Sequence, residues 1–370
     1  MLGKHKLLTV LLLLLLFCVS SCGDKQANLD TEEQTTPAVE TPIIIIEEVE
    51  PSPTPEPEET PPPEVDDGFV VPDSNVRPVA VMIDNQGDRV LPQGGISQAQ
   101  IVYEILTEYN ITRYMAIFWD TMPVMIGPVR SSRHYFLDFS MEYDAIYTHF
   151  GWSDYAKADI SKLKINNING LVHGNAFWDI TNDPGNWQDS YTSGERIQKE
   201  IERLKYSTTP KKEFPFRYHE YITIPEGGQE AKEVTIKFSS SGNSSCGYIY
   251  DEDSRLYKRT RLGKPQMERN TGEQVMVRNI IIQRMTSQPI PNDSYGRINL
   301  NNIGTGEGWY ITGGKAVKIT WAKSARDAQT VYTLESGEPL ILNKGQTWIE
   351  VVPNMKLVEI KSSHQPDNQG

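Results

Sequence analysis

Arg130 and Arg133 lie in Gly127-Pro128-Val129-Arg130-Ser131-Ser132-Arg133, which reads as the opening of a helix with proline near its first position. The helix dipole disfavours cations there, so the pair needs negative partners. A bound phosphate or carboxylate could supply them, because the guanidinium fork fits such groups. Nearby carboxylates could do so equally, with Asp84, Glu104 and Asp138 as candidates. Other polar residues follow apolar runs: Asp84 and Asn85 after Val79-Ala80-Val81-Met82-Ile83, Asp120 after Arg113-Tyr114-Met115-Ala116-Ile117-Phe118-Trp119, and His149 and Trp152 after Ala145-Ile146-Tyr147-Thr148. In open α/β sheets ligands sit at the carboxyl ends of strands. Asp84, Asn85, His149 and Trp152 therefore form the candidate pocket, and Arg130 and Arg133 the candidate anion-binding pair.

No catalytic set stands out. Ser131 or Ser132 with His134 or His149 and Asp84 would supply a nucleophile, a base and an orienting acid, but no Gly-x-Ser-x-Gly elbow occurs. His134, His149, His173 and His219 are too widely spaced for a local metal motif, and there is no Cys pair. Neither a metal nor a cofactor is expected. Trp119, Trp152, Trp178 and Trp187 crowd one region. Trp152 and Trp187 lie in polar loop contexts, which suits pockets and interfaces better than a core.

These residues need a scaffold. Ser97-x-x-Gln100 reads as a capping box opening a helix over 98–108, with Ile101, Val102, Ile105 and Leu106 on one side. The helix after Gly127-Pro128 would bury Val129, Phe136 and Leu137. Thr192-x-x-Glu195 caps another, with Ile197, Ile201 and Leu204 on one stripe. Strands alternating with helices predict an N-terminal α/β layered domain over 72–222. Beyond it, short runs every 10–20 residues, separated by Gly-, Asn- and Ser-rich turns, predict a mostly β C-terminal domain over 223–370. The fold class expected is α+β overall.

The first 71 residues give the address. Lys4, His5 and Lys6 precede an apolar run from Leu7 to Val19, too short for a stable membrane span of roughly 20 residues. Residues 1–21 read as a signal peptide. Val19-Ser20-Ser21-Cys22-Gly23 resembles the lipobox of bacterial lipoproteins, which implies diacylation of Cys22. Residues 22–71 read as a disordered Pro/Glu-rich linker. Residues 23–71 hold 14 of the 49 acids and only one base, so the acidity belongs to the linker and residues 72–370 are nearly neutral. This balance argues against a nucleic-acid partner. Cys246, in the Ser-rich stretch 239–247, reads as an ordinary loop residue.

Four motifs of the N-terminal region resemble the YerB-like lipoprotein family: Arg77-Pro-Val-Ala-Val-Met-Ile-Asp84-Asn85, Ala99-Gln-Ile-Val-Tyr-Glu104, Ile111-Thr-Arg113-Tyr-Met-Ala-Ile-Phe118 and Ile126-Gly-Pro-Val-Arg130-Ser-Ser-Arg133. Ile311-Thr-Gly-Gly-Lys-Ala-Val-Lys-Ile-Thr-Trp321-Ala-Lys323 and Leu342-Asn-Lys-Gly345-Gln-Thr347-Trp348-Ile349 are similar to its C-terminal domain. Glu268 keeps an acidic charge that the family tends to carry there. The resemblance implies a two-domain envelope lipoprotein of unassigned function.

Two functions stay open. One is a non-catalytic, lipid-anchored, extracytoplasmic protein that binds an envelope protein or a cell-wall polymer. The alternative is a hydrolase or transferase on an anionic glycopolymer or peptidoglycan fragment, with Asp84 and His149 for acid–base work and Arg130 and Arg133 for anion binding.

Overall fold

The computed structural model describes residues 69–364; the predicted signal peptide, Cys22 and the linker up to residue 68 lie outside the described residues. The elements begin with β1 (Val79–Asp84), β2 (Ile101–Leu106), β3 (Thr112–Phe118), α1 (His134–Glu142), β4 (Ile146–His149), α2 (Asp154–Leu163) and β5 (Asn167–Asn169). A short hairpin, β6 (Trp178–Asp179) with β7 (Ser190–Tyr191), precedes α3 (Gly194–Leu204). Strands dominate the remainder: β8 (Gln229–Glu230), β9 (Glu233–Lys237), β10 (Ser245–Asp251), β11 (Leu256–Arg261), β12 (Lys264–Pro265), β13 (Met276–Val277) and β14 (Asn279–Arg284). They continue as β15 (Ser287–Pro289), β16 (Ile298–Leu300), β17 (Gly304–Thr312), β18 (Lys315–Lys323), β19 (Val331–Leu334), β20 (Thr347–Val352) and β21 (Val358–Lys361). The fold is thus mixed α and β, with strands in the majority.

One large sheet has the order β19-β18-β17-β14-β20-β2-β3-β1-β4-β5, with β8 beside β18. β20 lies parallel to both β14 and β2, so a strand from near the end of the chain joins the two sequence regions in one sheet. A second sheet runs β12-β11-β10-β9-β21, with β13 beside β11. Side chains alternate between sheet faces, and this sorts the core. Val79, Val81 and Ile83 of β1 pack with Val234, Ile236, Tyr248 and Tyr257 of the second sheet. Ala80 and Met82 pack on the other face with Tyr135, Phe136, Leu137 and Phe139 of α1.

Three sequence expectations are corrected. The helix expected over 98–108 is a single 3-10 turn at Ile96–Gln98 followed by β2. β2 is buried on both faces and hydrogen-bonded to β3 and β20, so its continuous apolar run lacks the alternation that would mark a strand. The turn's amides are held by Glu268, whose carboxylate accepts from Gly95 N at 2.7 Å and Ser97 N at 3.0 Å. That contact explains an acid at this position. The helix expected at Gly127-Pro128 begins only at His134. Gly127 has φ +147°, and a Cβ there would lie 2.9 Å from Val129 N and 3.0 Å from the Tyr191 ring, so this stretch is an extended crossing that needs glycine. Cys246 is not a loop residue; it is buried at the start of β10. A smaller shift concerns α3, capped by Ser193, whose side chain accepts from Arg196 N, rather than by Thr192.

Candidate functional site

β1, β4 and β5 run parallel, so their carboxyl ends share one edge. Asp84 ends β1 and His149 ends β4. The extended segment through Arg130 threads between these ends: Arg130 N donates to Met82 O, Phe150 N donates to Arg130 O, and Ser132 N donates to Gly151 O. The structure therefore brings Asp84, Arg130, His149 and Trp152 to one edge, as the sequence reading expected of strand ends. It does not leave them in an open pocket.

Asp84 is fully buried. Its oxygens accept from Gln86 N at 3.0 Å and Gln188 Nε2 at 3.1 Å, and Arg130 Nε lies 3.1 Å away. Asn85 points inward. It donates to Glu104 Oε1 at 3.1 Å and Thr112 Oγ1 at 2.7 Å, and accepts from Arg261 Nε at 2.6 Å. His149 is buried, with Nδ1 2.6 Å from Gly151 O and Nε2 3.2 Å from Asn167 Oδ1. Burial pushes its pKa down to about 4, against the opposing effect of those two hydrogen bonds, so it is neutral at neutral pH. Trp152 is half-buried beside it, its ring 5.6 Å from the imidazole.

The two arginines part company. Arg133 is buried and donates to both oxygens of Glu108, to Ser131 Oγ and to Ser132 O. Its expected role as half of an anion-binding pair is corrected by this saturation: the negative partner is Glu108, which the sequence reading did not single out. Burial alone would raise the Glu108 carboxyl, but the hydrogen bond from Arg133 and the charges of Arg113 and Arg133 outweigh it and hold the pKa at about 2. Arg113 donates to Glu108 Oε1 at 3.3 Å and to Ser131 O at 2.7 Å. Its Nε is buried without an acceptor, and burial plus the neighbouring Arg133 charge lower its pKa to about 10. Arg130 keeps its side chain 21% exposed, its guanidinium carbon 3.9 Å from the centre of the Trp187 ring. Trp187, in the loop between β6 and β7, is 53% exposed, which fits its polar sequence context.

A second polar assembly lies between the two sheets, fully buried. Arg259 of β11 donates to Glu104 of β2 and reaches Glu350 of β20 at 3.4 Å. Its Nε donates to Tyr248 OH at 3.1 Å, and the guanidinium carbon sits 3.8 Å over the Trp348 ring. Tyr248 OH donates to Glu350. Ligand atoms of Glu104, Cys246 and Glu350 all lie within 4.8 Å of one another, a spacing that could hold a metal ion. The arrangement disfavours one: Arg259 already supplies the positive charge, and burial with the nearby Glu350 charge pushes the Cys246 thiol well above its ordinary range. The signal for this assembly was a lone Glu inside two apolar strands, Ile101-Val-Tyr-Glu104-Ile-Leu106 and Thr347-Trp-Ile-Glu350-Val-Val352.

With this geometry in place, known proteins give the context. Residues 68–207 match the family described as "Protein of unknown function (DUF3048) N-terminal domain", and residues 234–349 match its C-terminal domain. The chain is 32% identical over 289 residues to "Putative lipoprotein YerB" of Bacillus subtilis (strain 168), covering 77% of this chain and 83% of that protein. The crystal structure of the YerB protein from Bacillus subtilis superposes with a TM-score of 0.69 at 31% identity, covering 78% of this chain and 94% of that one.

Proposed function

This chain belongs to the DUF3048 family of YerB-like proteins, and from that premise we propose that it is a lipid-anchored extracytoplasmic protein that binds an envelope protein or a cell-wall polymer without transforming it. The observation that carries this reading is the enclosure of the groups an enzyme would need. Asp84 is occupied by Arg130, Gln188 and Gln86, and both ring nitrogens of His149 are engaged inside the fold. A general acid or base must reach the proton that it moves. The hydrolase or transferase reading draws no support from two groups so held. Exposed large side chains do occur around this edge: Trp187 lies against Arg130, and Leu171 and Val172, just after β5, are 65% and 62% exposed. Exposed side chains of this kind suit recognition.

The anchor is the lipobox at Cys22. Among the described residues, no helix is long and apolar enough to cross a membrane. Cys22→Ala is expected to move the protein from the membrane to the soluble fraction or to leave it as uncleaved precursor. Tight membrane association of the variant with its signal segment removed would overturn the lipid anchor. Crosslinking on intact membranes, followed by pull-down of the full chain, tests the binding reading; hydrolysis or transfer on a wall fragment by the purified protein would replace it.

A further inference from the structure

Five charged side chains meet at the carboxyl edge of β1: Arg113, Arg130 and Arg133 against Asp84 and Glu108. Three guanidinium groups face two carboxylates, so the cluster carries one uncompensated positive charge. Arg133 donates to Glu108 and to backbone and hydroxyl oxygens, and both terminal nitrogens of Arg113 are engaged by Glu108 and Ser131 O, its buried Nε alone being left over. Arg130 does not. Its Nε faces Asp84 without hydrogen-bond geometry, and among the described residues its terminal nitrogens donate to no acceptor. A partly buried guanidinium has already lost much of its water, and it lacks the oxygen acceptors that would replace it.

We propose that Arg130, laid over Trp187, is the contact for a monoanionic oxyanion, a phosphodiester or a carboxylate, carried by the bound partner. This rests on the binding reading above and specifies its ligand chemistry. The charge excess of one matches a single negative charge. The fork of Arg130 offers two terminal nitrogens to two oxygens of such a group, a charge-assisted and directional contact. Asp84 fixes the guanidinium at Nε, and the indole of Trp187 fixes its plane, so little side-chain freedom is lost on binding. The rest of the exposed indole offers apolar contact to whatever bears the anion.

The test uses the full chain in detergent micelles, titrated with dimethyl phosphate and, separately, with acetate at constant ionic strength. Tryptophan fluorescence and melting temperature are both read. At least one probe is expected to give a saturable change in both signals, and the comparison of the two identifies the oxyanion. Arg130→Gln should weaken that response at least tenfold, and Trp187→Ala should weaken it several-fold. Because Arg130→Gln leaves Asp84 without its cation, the double variant Asp84→Asn, Arg130→Gln serves as the folded control if the single variant unfolds. No saturable response to either probe, or an unchanged response in the folded arginine variant, overturns the proposal. Crosslinking separates the two claims. A partner captured equally by parent and Arg130→Gln leaves the binding function standing and removes the anion contact.

Discussion

Arg259→Met is expected to destabilise the fold by about 3–5 kcal/mol, lowering Tm by on the order of 10 °C. Arg259 is fully buried and stands between Glu104 of β2 and Glu350 of β20. Methionine would fill much of the volume but leave the Glu104 carboxylate and the Glu350 carboxyl group without their cation in a site closed to water. Tyr248 OH, Gln266 Oε1 and Tyr114 OH would lose a partner as well. Chemical denaturation of parent and variant measures the loss, and a value below 1 kcal/mol would mean that the carboxylates escape to water or take up protons at little cost. Removing the charges together is a different experiment. Arg259→Met with Glu104→Gln and Glu350→Gln should recover much of the loss, because the cost lies in acidic groups left without their cation and not in the missing arginine. This triad also ties the chain together: Glu104 comes from the first sequence region, while Arg259 and Glu350 come from the second.

The expectations that held are those in which a single run of residues sufficed. Val79 to Ile83, Arg113 to Phe118 and Ile146 to Thr148 form strands because β-branched and aromatic side chains crowd a pleated surface, and their ends do converge at one edge. The mixed α and β class followed from the same runs. β2 was missed because burial on both faces erases the period of two, and Ser97-x-x-Gln100 imitates a helix start. The partner of Arg133 was missed for a related reason. Gly127-Pro128 suggests a helix start, whereas Gly127 adopts a conformation that breaks one. Glu108 sits in a turn where Tyr109 and Asn110 have positive φ, and no local pattern marks it as the partner of an arginine 25 positions on. Arg259 was legible in principle. In β11 the inward residues alternate as Tyr257, Arg259 and Arg261, and a cation on the apolar face of a strand calls for a buried acid. Two such acids, Glu104 and Glu350, stood alone in apolar strands. Nothing in one sequence joins the three, because contacts separated by 155 and 91 positions are decided by which sheet covers which.

Glu350 gives the fold its expected pH dependence. Burial and the negative charge of Glu104 raise its pKa from 4.5 to about 8, only partly offset by Arg259 and by the hydrogen bond from Tyr248. Near neutrality the folded protein therefore holds a proton that the unfolded chain has released. Stability from this group is fully present below about pH 4.5 and is lost as pH rises through about 8. The groups facing it are Glu104 from β2, Tyr248 and Cys246 from β10, and Arg259 from β11. Burial pushes the Tyr248 hydroxyl and the Cys246 thiol upward, so both stay protonated across this range. Glu142 is raised by burial too and contributes with the same sign, whereas Glu108, held at about 2, loses its contribution only in strong acid. The denaturation midpoint of the parent should therefore fall between pH 6 and pH 9. Glu350→Gln mimics the protonated side chain at every pH, and should flatten most of that fall while costing little at pH 5. An equal fall in parent and variant would show that Glu350 is already ionised in the folded protein at neutral pH. Arg259 would then balance both carboxylates at once, and the proton would belong elsewhere.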